Sequence, residues 1–382
     1  MTSAPSPAER SSCVKGRLLE SRETAEVFLT VEPSRRQDAA QQAEEAFSVV
    51  RTSLKSSGAR LLQERIFATE AALPALLAAR SRLCADFDDG VPPVLLVVPE
   101  GPAGPVAGVQ LHAVRSPIPM DIIRCDGKPR GRSVKMGDCC FVAISGLVAP
   151  TAGGADAQAH HMFTQAASTM KSLGGSMHSV ARTWLWLGDI LAWYDDLNRV
   201  RNKFFKSVGL IDIDPNTACM PASTGIGVYP AFGAACAMDL VAVLGKGGTV
   251  EYFREAGNQR SPYHYGSAFS RASRARSPAG ATVYVSGTAA IDAEGRTAPI
   301  GDAKGQVSIT IENVRAAFRD LGCTDGEVVQ AIAYSKTPEV QAIFHKEFAS
   351  LEWPCISVIA DVCRDDLLFE VEAAACPGAR RM

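Results

Sequence analysis

The stretch SITIENVRAAFRDLG, Ser308–Gly322, followed after a short polar break by EVVQAIAYS, Glu327–Ser335, decides the fold. Ile311, Val314, Phe318 and Leu321 recur at helical spacing, so the first segment reads as an amphipathic helix. Gly322 stands where a helix C-cap favours a left-handed residue. The second segment is rich in Val and Ile and reads as a strand. Another helical stretch, EVQAIFHKEFASL (Glu339–Leu351), comes next. Pro354 and a closing pair of strands, the last reading FEVEA (Phe369–Ala373), complete the unit.

The same order occurs twice more. QQAEEAFSVVRTSLKSSG (Gln41–Gly58) and AHHMFTQAASTMKSLGG (Ala159–Gly175) carry apolar stripes and end at Gly58 and at Gly174–Gly175. The strands RLLQERIFA (Arg60–Ala68) and SVARTWLWL (Ser179–Leu187) follow, then the helices ALPALLAARSRL (Ala72–Leu83) and WYDDLNRVRNKFF (Trp193–Phe205), then Pro93 and Pro221. At about the same distance after Pro93, Pro221 and Pro354, the last strand of each unit carries Gln110, Asp239 and Glu370. Each unit reads as α+β, a mixed sheet with its helices on one face, and the bare face needs a neighbour. Three such units in one chain predict a closed pseudo-trimer. The expected limits are a flexible tail over 1–19 and units over 20–115, 116–258 and 259–382.

Composition narrows the function classes. The 382 residues are 47% hydrophobic and 21% charged with a net charge of -2, which argues against nucleic acid as a main partner. No apolar run is long enough to span a membrane or to serve as a signal peptide. The eleven cysteines show no CxxC pair and no zinc-type spacing, and most lie in apolar runs, as in CCFVAISG (Cys139–Gly146). They read as core thiols of a cytoplasmic protein. No metal set is expected of the six scattered histidines, and GKGG (Gly245–Gly248) lacks the spacing of a phosphate loop.

The strand FEVEA raises a specific question. Glu370 and Glu372 share one face of a strand otherwise fit for burial. A solvated outer face is the ordinary reading. The alternative is a carboxyl in an apolar pocket, where burial raises its pKa and makes it a proton donor.

The third unit, from VYVSGTAAID (Val283–Asp292) to FEVEAAA (Phe369–Ala375), resembles the RidA/YjgF family of small trimeric enamine/imine deaminases. GDCCFVAISGLVA (Gly137–Ala149) to CAMDLVAV (Cys236–Val243) fits nearly as well, and the first unit lacks its own SG strand. The stretches PASTGIG (Pro221–Gly227), YGSAFSRAS (Tyr265–Ser273), RTWLWLGDILAWYDDLNRVRN (Arg182–Asn202) and FEVEA make the whole chain similar to the chorismatase family. Those enzymes release pyruvate from chorismate with a fold built of such units. The deaminase arginine after the proline turn is absent from PPVLLV, PASTGI and PCISVI, while Arg271 in AFSRA stands where deaminases carry glutamine.

The closed pseudo-trimer leaves no copy of its interface open and so predicts a monomer, and the resemblance implies a chorismatase without metal or organic cofactor. Glu370 would protonate the enol ether, with Glu372 structural or a neighbour that raises its pKa. Arg271 would bind a substrate carboxylate, with Arg274 and Arg182 as weaker candidates. Tyr265, Tyr229, Ser223 and Thr224 would donate hydroxyl hydrogen bonds. Cys363 resembles the cysteine of hydroxybenzoate-forming members, and Ala272 resembles the small residue at a second discriminating position. Trp184, Trp186, Trp193 and Tyr194 read as packing residues. An imine/enamine deaminase and a non-catalytic metabolite binder are the alternatives.

Overall fold

A computed structural model describes residues 12–33, 35–211 and 217–382. The first unit runs β1 (Ser12–Glu20), β2 (Ala25–Pro33), α1 (Ala39–Ser57), β3 (Arg60–Ala68), α2 (Leu73–Leu83), β4 (Val94–Val97) and β5 (Val106–Arg115). The second runs β6 (Asp121–Cys125), β7 (Lys128–Met136), β8 (Cys139–Leu147), α3 (Ala155–Ser172), β9 (Val180–Leu187), α4 (Ile190–Ser207), β10 (Ala222–Ile226), β11 (Tyr229–Pro230) and β12 (Cys236–Gly245). The third runs β13 (Val250–Phe253), β14 (Ala272–Ser277), β15 (Gly280–Ala289), α5 (Ala303–Asp320), β16 (Val328–Ser335), α6 (Pro338–Glu347), β17 (Cys355–Ile359), β18 (Phe369–Ala375) and β19 (Arg380–Arg381).

The repeated apolar stripes are the buried helix faces: Phe47, Val50 and Leu54 on α1, Phe163, Ala166 and Met170 on α3, Ile311, Val314 and Phe318 on α5. Gly58, Gly174 and Gly322 close these helices at φ of 65°, 80° and 72°, a region that costs a side-chain-bearing residue. In each sheet the strand after the second helix runs parallel to the strand before it: β4 to β3, β10 to β9, β17 to β16. The closing strands β5, β12 and β18 then pair antiparallel beside them. The sheet orders are β11-β4-β3-β5-β2-β1-β19, β10-β9-β12-β8-β7-β6 and β13-β14-β15-β18-β16-β17.

Each unit packs its own helices over one sheet face in a separate core cluster. The opposite faces meet in a single shared cluster that contains Phe67, Leu96, Phe141, Trp186, Tyr334 and Ile356 from the three units. The α+β pseudo-trimer of fused units expected from the repeats is therefore the observed fold. No described helix is long and apolar enough to cross a membrane.

Two expected limits need correction. Ser12–Leu19 is not a loose tail, because β1 pairs with β2 from Ser12↔Pro33 to Glu20↔Ala25; residues 1–11 lie outside the described residues. β13, placed by the sequence in the second unit, hydrogen-bonds β14 of the third. Units also exchange strands: β11 pairs with β4, and β19 pairs with β1. A short strand satisfies its backbone on whichever edge is free, and no local pattern announces which.

The repeat has a second level of detail. The β15–β18 register shifts between Val285 and Thr288, around Ser286–Gly287, and the β8–β12 register shifts at Asp239, around Ser145–Gly146. Such bulges re-aim side chains. The β2–β5 ladder runs through without a shift and leaves Gln110 opposite Thr30. Asp239 and Glu372 thus sit at matching bulges. Gln110, which pairs with Arg65 of β3 as Asp239 pairs with Trp184 of β9 and Glu372 with Ile332 of β16, holds the corresponding place. The equivalence of Gln110, Asp239 and Glu370 expected from the sequence is corrected to Gln110, Asp239 and Glu372.

Candidate active site

Strand β18 settles the question of the paired carboxylates. Phe369, Val371 and Ala373 pack under the helices of the third unit. Glu370 and Glu372 face the junction between units at 5% and 4% exposure, so neither is solvated. Their surroundings differ. Glu372 is fully engaged: Trp184 Nε1 donates to it at 2.9 Å and Arg182 Nη2 donates to its other oxygen. Glu370 has no such partners. Burial first, and the charge of Glu372 second, push its carboxyl up to about 8, against weaker pulls from Arg182 and Arg271. It is a protonated acid at neutral pH.

Gly287 at the bulge makes room for it. A Cβ on Gly287 would lie 2.1 Å from Glu370 Oε1. The carboxyl opens into a cavity between the second and third units. The second unit supplies Tyr194 and Arg201 from α4 and Ser223, Thr224 and Gly225 from β10. The third supplies Tyr265, Ser267, Phe269, Arg271, Gly287, Cys363, Arg364 and Glu370.

Positive charge rings this cavity. Arg271 is held by Nε donating to the Arg260 carbonyl at 2.9 Å and by Nη2 donating to the Tyr265 hydroxyl at 2.6 Å. The guanidinium groups of Arg201 and Arg271 each lie 5.7 Å from the Phe269 ring centre, and that of Arg364 lies 5.4 Å from the Tyr265 ring. Burial lowers the pKa of Arg201 and Arg271, yet arginine remains charged. Arg201 Nε is buried without a partner, a donor aimed at nothing in the protein. Burial also pushes the Tyr194 and Cys363 side chains up to about 12 each, so both stay protonated donors. The Tyr194 hydroxyl links Cys363, Arg201 and Ser267.

Glu370, Arg271, Tyr265, Ser223, Thr224 and Cys363 are therefore brought together as the sequence predicts. Three expected contacts are not. Arg182 lies behind the cavity, tied to Thr224 and Glu372 across the central junction. Tyr229 sits on β11, exposed, with its hydroxyl on Asp189 at a separate surface groove. Ala272 begins β14 with its side chain in the helix-side core of the third unit. The sequence reading missed Arg201, Arg364 and Tyr194. Arg201 and Tyr194 are seven positions apart on α4, two helical turns, which places them on one face. That spacing was readable, but not that the face borders the third unit.

The sequence matches no protein-family model and no curated protein. Among solved structures, a chorismatase superposes with a TM-score of 0.61 at 18% identity, covering 96% of this chain and 99% of that one. An endoribonuclease L-PSP-like protein from Entamoeba histolytica, described as putative, matches 33% of this chain and 98% of its own at 18% identity, with a TM-score of 0.28. The YjgF gene product of E. coli covers 25% of this chain and 79% of its own at 22% identity, with a TM-score of 0.21. The chain has the fold of the solved chorismatase, a pseudo-trimer of RidA/YjgF-like units joined in one polypeptide.

Proposed function

We propose that the chain cleaves the enolpyruvyl ether of chorismate and releases pyruvate. One observation carries this reading: a carboxyl pushed up to about 8 shares a cavity with three guanidinium groups. Chorismate brings two carboxylates, a hydroxyl and an enol ether that breaks on protonation of its terminal methylene carbon. Arg271, Arg201 and Arg364 would bind the carboxylates, and Tyr265 and Tyr194 would donate to the remaining oxygens. Glu370 would give its proton to the methylene, whose double-bond electrons form the new C–H bond and leave an oxocarbenium ion. Positioning by the arginines and the preorganised donors supplies the rest of the acceleration.

Two outcomes are open to that cation. Water can add to it, and collapse of the hemiketal gives pyruvate and a dihydroxycyclohexadiene carboxylate. Alternatively the ring hydroxyl attacks the neighbouring ring carbon as the ether C–O bond breaks. Pyruvate then leaves and the hydroxyl proton returns to Glu370, with the oxygen now bridging the two ring carbons. Breaking of its original C–O bond, loss of the ring proton on the carbon that keeps the oxygen and protonation of that oxygen give 3-hydroxybenzoate. Breaking of the other C–O bond gives 4-hydroxybenzoate as a side product. No atom is added on that route. We favour it because Glu370 is the only carboxyl among the described lining residues and the Cys363 thiol walls its flank without serving as a base.

The test is direct. Purified protein with chorismate should generate pyruvate in a lactate-dehydrogenase-coupled assay, and chromatography should show hydroxybenzoate. Ammonia release from an imino acid without pyruvate from chorismate would favour the deaminase alternative; saturable binding without turnover would favour a metabolite binder. Because the fused units close their own interfaces, we also propose a monomer of 40.5 kDa, working in the cytoplasm where its cysteines stay reduced. Light scattering checks the mass.

A further inference from the structure

The pseudo-threefold arrangement creates a cleft at each junction between neighbouring units, and the three have different fates. The Glu370 cavity lies between the second and third. The junction of the first and second units carries a surface groove lined by Val97, Asp189 and Tyr229. The junction of the third and first units holds a further cleft.

This cleft repeats the construction of the Glu370 cavity part for part. The second helix of the preceding unit lines both: Gln341 and His345 on α6, as Tyr194 and Arg201 on α4. The strand after the proline lines both: Ser357 on β17, as Ser223 on β10. The following unit contributes a carboxyl to both, but here from the neighbouring strand: Glu32 lies on β2, just past Val31, which pairs with Val109 of β5. No arginine is among the described lining residues.

Its polar groups are acceptors. Gln341, 2% exposed, donates through Nε2 to the Ser357 carbonyl at 3.2 Å and to its hydroxyl at 3.1 Å. Those bonds fix the amide and leave Oε1 buried with no partner. Half-buried Glu32 accepts a hydrogen bond from the Ser357 backbone amide. Pro102, Val106 and Ala107 supply an apolar wall. We infer that this cleft binds a small primary amine, its ammonium donating to the Glu32 carboxylate and to Gln341 Oε1 and its hydrocarbon part lying along the apolar wall. An ammonium has three donors and a charge, and it satisfies both an orphaned acceptor and a carboxylate. The inference does not rest on the chemistry proposed for the Glu370 cavity.

The charged surroundings fix a signature. Burial pushes Glu32 up to about 7, opposed by Lys15 and by the Ser357 amide. Lys15 Nζ is itself held by the Trp353 carbonyl at 3.0 Å, and the other titratable groups beside it are His345, whose pKa is lowered by burial and by Lys15, and the buried thiol of Cys355. An arriving ammonium favours the ionised carboxylate, so binding near neutral pH expels a proton.

Calorimetric titration of the full chain with butylammonium, in two neutral buffers of different ionisation enthalpy, tests the inference. Saturable binding with buffer-dependent heat is expected. Glu32→Gln should weaken it about tenfold or more and remove the buffer dependence. Gln341→Met, which keeps volume but deletes the orphaned oxygen, should weaken it while leaving the buffer dependence. Butanol and butyrate should not compete. Absence of saturable binding to the wild type, unchanged binding in a folded Glu32→Gln protein, or preference for butyrate would each overturn it.

Discussion

Arg182 on β9 reaches out of the second sheet to Glu372 on β18 of the third, and the same nitrogen donates to Thr224 at the wall of the Glu370 cavity. One guanidinium thus holds both the carboxylate neighbour of Glu370 and a hydroxyl at the cavity wall. In the proposed chemistry Glu372 matters because its charge, second to burial, raises the pKa of Glu370. Removing that charge lowers the pKa of Glu370 twice over, by deleting a repulsion and by leaving Arg182 uncompensated beside it.

The pH profile should show this. For the wild type, kcat/KM should fall as pH rises through about 8, where Glu370 ionises. In Glu372→Gln the same fall should move to lower pH, with a modest change in the plateau rate. The variant also leaves Arg182 buried and unpaired, so its profile is best taken well below its melting temperature. A falling limb that stays in place would reduce Glu372 to a packing role.

Glu370→Gln keeps shape and removes the transferable proton. Pyruvate release should drop by roughly 10²-fold or more, the lower range for general acid catalysis, while chorismate binding persists. Coupled assay and calorimetry on the same preparation separate the two. Turnover above about a tenth of wild type would remove Glu370 from the role of acid.

Much of this was legible in the sequence, for identifiable reasons. Helix stripes and cap glycines are local, so α1, α3 and α5 and the closures at Gly58, Gly174 and Gly322 could be read from spacing alone. Glu370 was legible because two carboxylates on an apolar strand conflict with a plain core. Arg182 was misassigned because the sequence shows a strand residue but not the sheet it faces across the junction. Tyr229 was misassigned because β11 leaves its own unit to pair with β4. Arg364 follows β17 in a loop, where no periodicity fixes direction.

The arginines should divide by kinetics. In the proposed reaction Arg271 and Arg201 would meet carboxylates that are charged both before and during turnover, so their loss would remove uniform binding and should raise KM more than it lowers kcat. Each charge-assisted hydrogen bond is worth ~1.5–3 kcal/mol, or roughly 10–150-fold. Tyr265→Phe should act in the same direction but more weakly, since it frees Arg271 from one of its two tethers. Steady-state kinetics on Arg271→Ala and Arg201→Ala check this, and unchanged KM in both would place the substrate carboxylates elsewhere.

Asp239 and Glu370 are buried carboxyls on the closing strands of two units, and their opposite environments predict opposite effects on stability. Asp239 is fully buried and accepts from Arg65 Nε, from Trp186 Nε1 and from the Gly146 amide at 2.8 Å. Asp239→Asn leaves the Arg65 charge buried and uncompensated, which should cost ~3–5 kcal/mol. Glu370 has the reverse problem. Its pKa in the folded chain is raised from 4.5 to about 8, so the fold favours the protonated form. Stability from this group is complete below the unfolded value and declines as pH climbs from there through the folded value. Glu370→Gln cannot ionise and escapes that decline. Its melting temperature relative to wild type should therefore rise between about pH 5 and about pH 8, while Asp239→Asn remains below wild type across the same range. Thermal melts of the three proteins at both pH values decide the matter. A destabilised Glu370→Gln at the higher pH would mean that the Glu370 carboxylate has a partner that stabilises its charge, and the proposed acid would then be the wrong group.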